Sequence, residues 1–208
     1  MKERPILFSA PMVRALLAGT KTQTRRIVKP TPVADSRWAG GFYLEGKKSG
    51  PRAIAVEAPH IATACPYGAP GDRLWVRETW AHSIHAMAAK SDEDGPFVYA
   101  ATHRVEQRLG EKWKPSIHMP RYACRLMLEI TDVRVERLMS ISEEDARAEG
   151  IDFDPGEGGV FWVPGPGPGC ASDTAAGSFR RLWESINGDG SWNANPFVWV
   201  VEFKRNGA

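Results

Sequence analysis

The run from Gly19 to Arg26, GTKTQTRR, gathers the densest set of reactive side chains in the chain. Lys21 and Thr24 lie three residues apart where a helix should end and a strand begin, so their side chains can meet. A lysine partly removed from water loses proton affinity and can accept the proton of a hydroxyl. Thr24 supplies that hydroxyl, and Arg25 and Arg26 suit a bidentate grip on a phosphate or an anionic intermediate. The plainer alternative is an exposed basic turn that only attracts anions.

Two further clusters add candidates. Residues 71–80, GDRLWVRETW, end an alternating strand with Glu78. That carboxylate suits general acid/base work or the orientation of Lys21, and the alternative is an ion pair with Arg73 or Arg77. Residues 112–122, KWKPSIHMPRY, interleave cations with aromatics and prolines. Aromatics beside cations fit base stacking with phosphate contact, which marks Trp75, Arg77, Trp113, Lys114, Ser116, His118 and Tyr122 as binding candidates. A rigid surface loop with Trp113 packed on the core is the alternative. His82 and His85 are i,i+3, but no cysteine or acid completes a zinc set, so no metal is expected. G-x-G-x-x-G, a P-loop, H-E-x-x-H and G-x-S-x-G are absent from the sequence, which removes support for nucleotide cofactors and the common hydrolase folds. No cofactor is expected.

Residues 4–8 read as a strand, and 11–18 as a helix capped by Ser9 and stopped by Gly19. Thr24–Val28 and Arg73–Glu78 read as strands, with a possible one at 52–57 and another near 96–101. The clearest strand region is 121–138: Tyr122, Cys124, Leu126, Leu128 and Ile130 share one face, and Val133 and Val135 continue it after a bulge. A short helix over 142–150 has a serine cap and an acidic first turn. Residues 172–187 form an amphipathic helix with Phe179, Leu182, Trp183 and Ile186 on its stripe, and 197–204 is the last strand. Excursions at 31–70, 81–119 and 152–170 interrupt this order. The third holds six Gly and four Pro in nineteen positions, which suits a flexible lid. Strands dominate without β-α-β alternation, so the expected fold is α+β, a small mixed β-barrel with flanking helices, in one domain over 1–208.

The net charge of +2 hides an uneven distribution. Residues 1–30 and 101–126 are basic, whereas 129–157 carry ten acids against Arg134, Arg137 and Arg147, which suggests a two-faced surface with one face for an anionic partner. Cys65, Cys124 and Cys170 sit far apart and read as reduced thiols. No apolar run reaches 18 residues, so a cytoplasmic protein with no membrane span is expected.

These segments together resemble the ASCH domain family of the PUA-like superfamily, and most of all the ASCH-type proteins of bacteriophages and prophages. The resemblance rests on G-x-K-x-x-T-R-R at Gly19, Lys21, Thr24, Arg25 and Arg26, on GDRLWVRETW, on WKPSIHMPRYACRL at 113–126 and on NANPFVWVVEFKR at 193–205. It implies a small β-barrel with a cleft across its mouth. Some members remove the acetyl group from N4-acetylcytidine with a Lys, a Thr and a Glu. Others are described as ribonucleases, and RNA binding is general among PUA-like domains. Lys21 and Thr24 match the first two catalytic positions, and Glu78 is the candidate third. Three functions are therefore expected as alternatives. One is a metal-independent hydrolase acting on an amide of a modified nucleoside. The second is an RNA-binding module using Lys21, Arg25, Arg26, Lys112 and Lys114, with any nuclease step resting on His118. The third is an accessory protein that binds another protein.

Overall fold

Alternating burial along five segments builds the central sheet. A computed structural model describes residues 1–34, 36–37, 41–44, 52–55, 65–83, 96–103, 112–154, 160–162 and 172–206. The strands are β1 (Glu3–Leu7), β2 (Gln23–Ile27), β3 (Val33–Ala34), β4 (Gly41–Leu44), β5 (Arg52–Ala55), β6 (Arg73–Arg77), β7 (Trp80–His82), β8 (Phe97–Tyr99), β9 (Met127–Arg137), β10 (Asp152–Asp154), β11 (Val160–Trp162) and β12 (Phe197–Arg205). The helices are α1 (Ala10–Ala18), α2 (Glu143–Ala148) and α3 (Ala175–Asn187).

The five-stranded sheet has the order β1-β6-β9-β12-β2. β1 runs parallel to β6 and the other pairs are antiparallel, so the sheet is mixed. The α+β class is as expected. Among the described residues no strand pairing joins β1 to β2, so the sheet is open there and a closed barrel is not seen. One side chain spans the gap: Arg26 Nη2 donates to the carbonyl of Leu7 at 2.7 Å.

β12 is the axis of the sheet, flanked by β9 and β2. The register shifts between Glu202 and Phe203, whose partners are Asp132 and Ile130. Thr131 is therefore the extra residue of a bulge on β9. That bulge keeps Leu128, Ile130, Val133 and Val135 all buried, as their sequence spacing requires.

Each face of the sheet carries its own core. On one face Val133, Val135, Trp199 and Val201 pack with Ile6, Phe8, Val13 and Leu16, which brings in α1. On the other, Val198 and Val200 pack with Ala146 of α2 and Phe179 and Trp183 of α3. β2 is paired so that Thr24 lies opposite Val201 and Arg26 opposite Trp199, on the α1 side. Gln23 and Arg25 consequently face α2 and α3. Alternation along this one strand thus decides which polar residues meet which core.

Local signals explain the helix ends. Gly19 stops α1 with φ at +81°, a backbone conformation that glycine adopts without steric cost. Ser9 occupies the N-cap position, but its side chain makes no capping bond there. Ser142 does cap α2, accepting from the Asp145 N–H. α3 is capped twice, by Thr174 and by the Glu143 carboxylate, which accepts from the N–H groups of Ala175 and Ala176 at 2.8 and 3.2 Å.

Tyr122 and Cys124 depart from the expected strand face. Arg121–Ala123 form a 3-10 turn after Pro120, and Tyr122 is 42% exposed. Proline has no N–H to give to a ladder, so pairing begins only at Met127. Inside the first excursion β3, β4 and β5 make a three-stranded sheet, and β7 pairs with β8 in the second. In the third, β10 pairs with β11. The lid expected over 152–170 otherwise lies outside the described residues, as do His85 and residues 56–57 of the strand expected at 52–57. No helix among the described residues is long and apolar enough to cross a membrane.

Candidate functional site

Lys21 sits where α1, β2 and α2 converge. The N–H groups of Thr20 and Lys21 both donate to the carbonyl of Ala15, which ties the turn to the end of α1. Thr22 N–H then donates to Ala148 O at 2.8 Å, and Lys21 forms a bridge with Glu149, so the end of α2 lies along the start of β2. This approach needs Gly150. Its φ is +93°, and a Cβ there would stand 2.9 Å from the Cβ of Ala15 and 3.3 Å from that of Lys21. Gly150→Ala is expected to lower unfolding stability by about 2 kcal/mol or more in urea titrations, because strain and overpacking add.

The Lys21 side chain is fully buried and its ammonium donates three hydrogen bonds. The acceptors are Gln23 O at 2.8 Å, Glu149 O at 2.9 Å and Glu149 Oε2 at 2.7 Å. Burial lowers its proton affinity below the ordinary lysine value of 10.5. The Glu149 charge opposes this in part, while Arg26 and Arg25 add to it. Lys21 is therefore a buried amine with a depressed pKa, bonded to a carboxylate. Glu149 Oε1 is itself buried without a hydrogen-bond partner, 3.7 Å from Arg25 Nη1.

Glu149 also lines a cleft of about 550 Å³. Its walls come from both edges of the sheet and from α1 and α3: Leu7, Phe8, Met12, Arg26, Leu182 and Ile186 are among them. A smaller cavity of about 70 Å³ adjoins it through Met12, Arg26, Glu149, Leu182 and Ile186, and Thr24 lines this second space. The structure thus brings Thr24, Arg26 and Glu149 to the smaller space, and Lys21 stands behind Glu149 and lines neither. Their common geometry suits proton transfer beside an amide or ester carbonyl, with an apolar wall to exclude water.

Glu78 lies elsewhere. It is 1% exposed and both of its oxygens accept from Arg125, at 2.8 and 2.9 Å. Its partner is thus neither Arg73 nor Arg77, and the carboxylate bonded to Lys21 is Glu149. Arg125 also stacks on Tyr99 and donates to Thr102, so this pair fastens the end of β6 to residues 99–102.

Arg25 belongs to an internal network. Its side chain is fully buried, bonded to Gln23, to Asp145 Oδ2 at 2.9 Å and to Glu136 Oε2 at 3.3 Å. Arg134 joins the same group through Glu136, Glu202 and Asp145. Two cations predicted to face a ligand, Lys21 and Arg25, are therefore matched by acids of the 129–157 segment inside the protein.

The remaining predicted residues divide. Ser116 lines the cleft. Trp75 lies on the outward face of β6, with the Arg77 guanidinium 5.4 Å from its ring centroid, and Arg77 donates to Ile117 O. Trp113 meets His103 edge-on at 5.1 Å, and Lys114 Nζ stands 4.9 Å from the ring centroid of Trp80. His118 is exposed, and Tyr122 packs beside Phe97. None of these six is among the residues lining the cleft. Among the described residues no group of three or more His, Cys, Asp or Glu is placed to hold a metal ion.

Sequence reasoning missed Glu149, Gln23 and Asp145. The one local signal for Glu149 was its place before Gly150 at the end of a short acidic helix; nothing nearby marks it as the partner of a residue 128 positions away. No family model matches the chain, and neither does any curated protein or solved structure.

Proposed function

We propose that the chain is an ASCH-type amidohydrolase that cleaves an amide on a modified nucleoside, N4-acetylcytidine being the model substrate. The observation that carries this reading is the buried Lys21 amine held 2.7 Å from Oε2 of Glu149, a residue that lines a cleft large enough for a nucleoside. Thr24 Oγ1 attacks the amide carbonyl and Lys21 takes its proton. Arg26, which lines both spaces, or a backbone N–H steadies the oxyanion. Glu149, bonded to the Lys21 ammonium, relays that proton to the departing amine. Water then cleaves the acyl-threonine ester, which returns the hydroxyl and releases the carboxylic acid. The third member of the Lys/Thr/Glu set is accordingly Glu149 rather than Glu78.

The RNA-binding alternative loses support from the same geometry. Of the five cations it requires, Lys21 and Arg25 are buried and paired with acids. The closed β-barrel of the resembled family remains part of the proposal; its support is the Arg26 link between the two sheet edges.

The test is release of cytidine from N4-acetylcytidine, followed by mass. Thr24→Ala is expected to reduce kcat by about 10³-fold or more with an unchanged circular dichroism spectrum. Cytidine release that persists in a folded Thr24→Ala protein would remove threonine from the mechanism.

A further inference from the structure

From the packing at the end of β1 we infer that Phe8 is a positioning residue, whose ring holds the cations of Lys21 and Arg26 together beside the cleft; its effect on turnover rests on the amidohydrolase reading. Phe8 directly follows β1, and its N–H donates to Arg77 O at 3.1 Å, which continues the pairing of β1 with β6. Its side chain is buried, packs against Phe203 of β12 with ring centroids 6.2 Å apart, and lines the cleft. Neighbours on two strands thus fix the place of the ring.

Lys21 Nζ and Arg26 Cζ each stand over this ring, 5.5 Å from its centroid. Within about 6 Å the negative face of an aromatic ring attracts a cation, and more strongly where water is excluded. The two cations repel each other, and Arg26 is one of the charges that lower the proton affinity of Lys21. An aromatic face attracts both and takes up no proton of its own. Arg26 is gripped by two adjacent residues, through Leu7 O at 2.7 Å and through the Phe8 ring. The Lys21 ammonium faces Glu149 from the end of α2, Arg25 and Arg26 from β2, the carbonyls of Gln23 and Glu149, and Phe8. The ring, the carboxylate and the carbonyls favour the charged amine, whereas burial and the two arginines oppose it.

The experiment replaces Phe8 of the full chain by 4-fluoro-, 3,5-difluoro- and 3,4,5-trifluorophenylalanine. Fluorine drains the face of the ring with little change of shape, so attraction is separated from packing. The Lys21 pKa, followed by NMR of the lysine ε-carbons, is expected to fall with each added fluorine, by about one pH unit over the series. The rising limb of N4-acetylcytidine hydrolysis should move to lower pH by the same amount, because a weaker hold on the ammonium frees the amine sooner. On the high-pH plateau kcat should fall several-fold as Arg26 loosens. A Lys21 pKa that stays constant across the folded series overturns the inference. A constant plateau kcat removes Arg26 from it. A stepwise fall in pKa with no cytidine released by any form, the unaltered protein included, supports the hold of the ring on Lys21 and overturns the amidohydrolase reading, so the two failures are distinguishable.

Discussion

Glu149→Gln is expected to lower kcat on N4-acetylcytidine by about 10²–10⁴-fold while leaving the protein folded. Glutamine keeps an oxygen that can accept from Lys21 Nζ, now 2.7 Å from Glu149 Oε2, but cannot give a proton to a departing amine. The pH profile separates this role from simple packing. Lys21 acts as the neutral amine, so activity climbs with pH toward its pKa, which burial holds below 10.5. The Glu149 charge raises that pKa, and removing it must move the rising limb to lower pH. Glu78→Gln provides the contrast. Its carboxylate is bonded to Arg125, so the substitution should weaken the protein without a comparable fall in kcat. Loss of kcat in Glu78→Gln with normal kcat in Glu149→Gln would reverse the assignment.

The largest expected effect on stability comes from Arg25→Ala, about 3 kcal/mol in urea unfolding at neutral pH. Removing one partner from a buried ion pair typically costs about 3–5 kcal/mol. The lower end applies because Asp145 and Glu136, the acids left behind, keep side-chain exposures of 22% and 15%. The loss should shrink on acidification. Burial acts to raise the Asp145 pKa, but the Gln23 hydrogen bond and the charges of Arg25 and Arg134 outweigh it and hold the group below 3.8. A depressed carboxylate adds stability above its unfolded pKa, and that stability disappears as pH falls through the folded pKa. Arg25→Ala removes part of the depression, so the two stability curves should converge below about pH 4. Parallel curves down to pH 2 would mean that Asp145 has no part in the effect.

Local periodicity made most of the elements legible. The apolar spacing across 126–135 foretold a bulge, and one lies at Thr131. Gly19 and Ser142 marked helix ends because both work within a few residues of themselves. Tyr122 was misplaced because its alternation continued that of the strand, while Pro115 and Pro120 favoured short turns. The site was half legible. Lys21 and Thr24 announce themselves by type and spacing, but their neighbours depend on the fold. Arg25 and Arg26 are adjacent and chemically alike, yet strand alternation sends one into an internal network and the other to the cleft. The charge pattern misled for a related reason. Basic and acidic segments suggested opposed surfaces, whereas the fold brings Lys21 and Arg25 against Glu136, Asp145 and Glu149. Nothing within a short window reports on such pairing, because its register is set by β12 and by the approach of α2.

The contact between α2 and the start of β2 also bears on solubility. β2 is an edge of the sheet, and an edge strand offers unpaired N–H and C=O groups to any other extended chain. The Thr22 bond to Ala148 and the Lys21–Glu149 bridge occupy the first part of that edge. At the opposite edge β1 carries Pro5, which has no N–H to donate. The backbone contact that seats the amine and carboxylate proposed for catalysis therefore also guards the sheet against recruitment into intermolecular strands. Substitutions that loosen this pair would produce a protein that is both inactive and prone to self-association, so inactivation and aggregation should travel together along this strand.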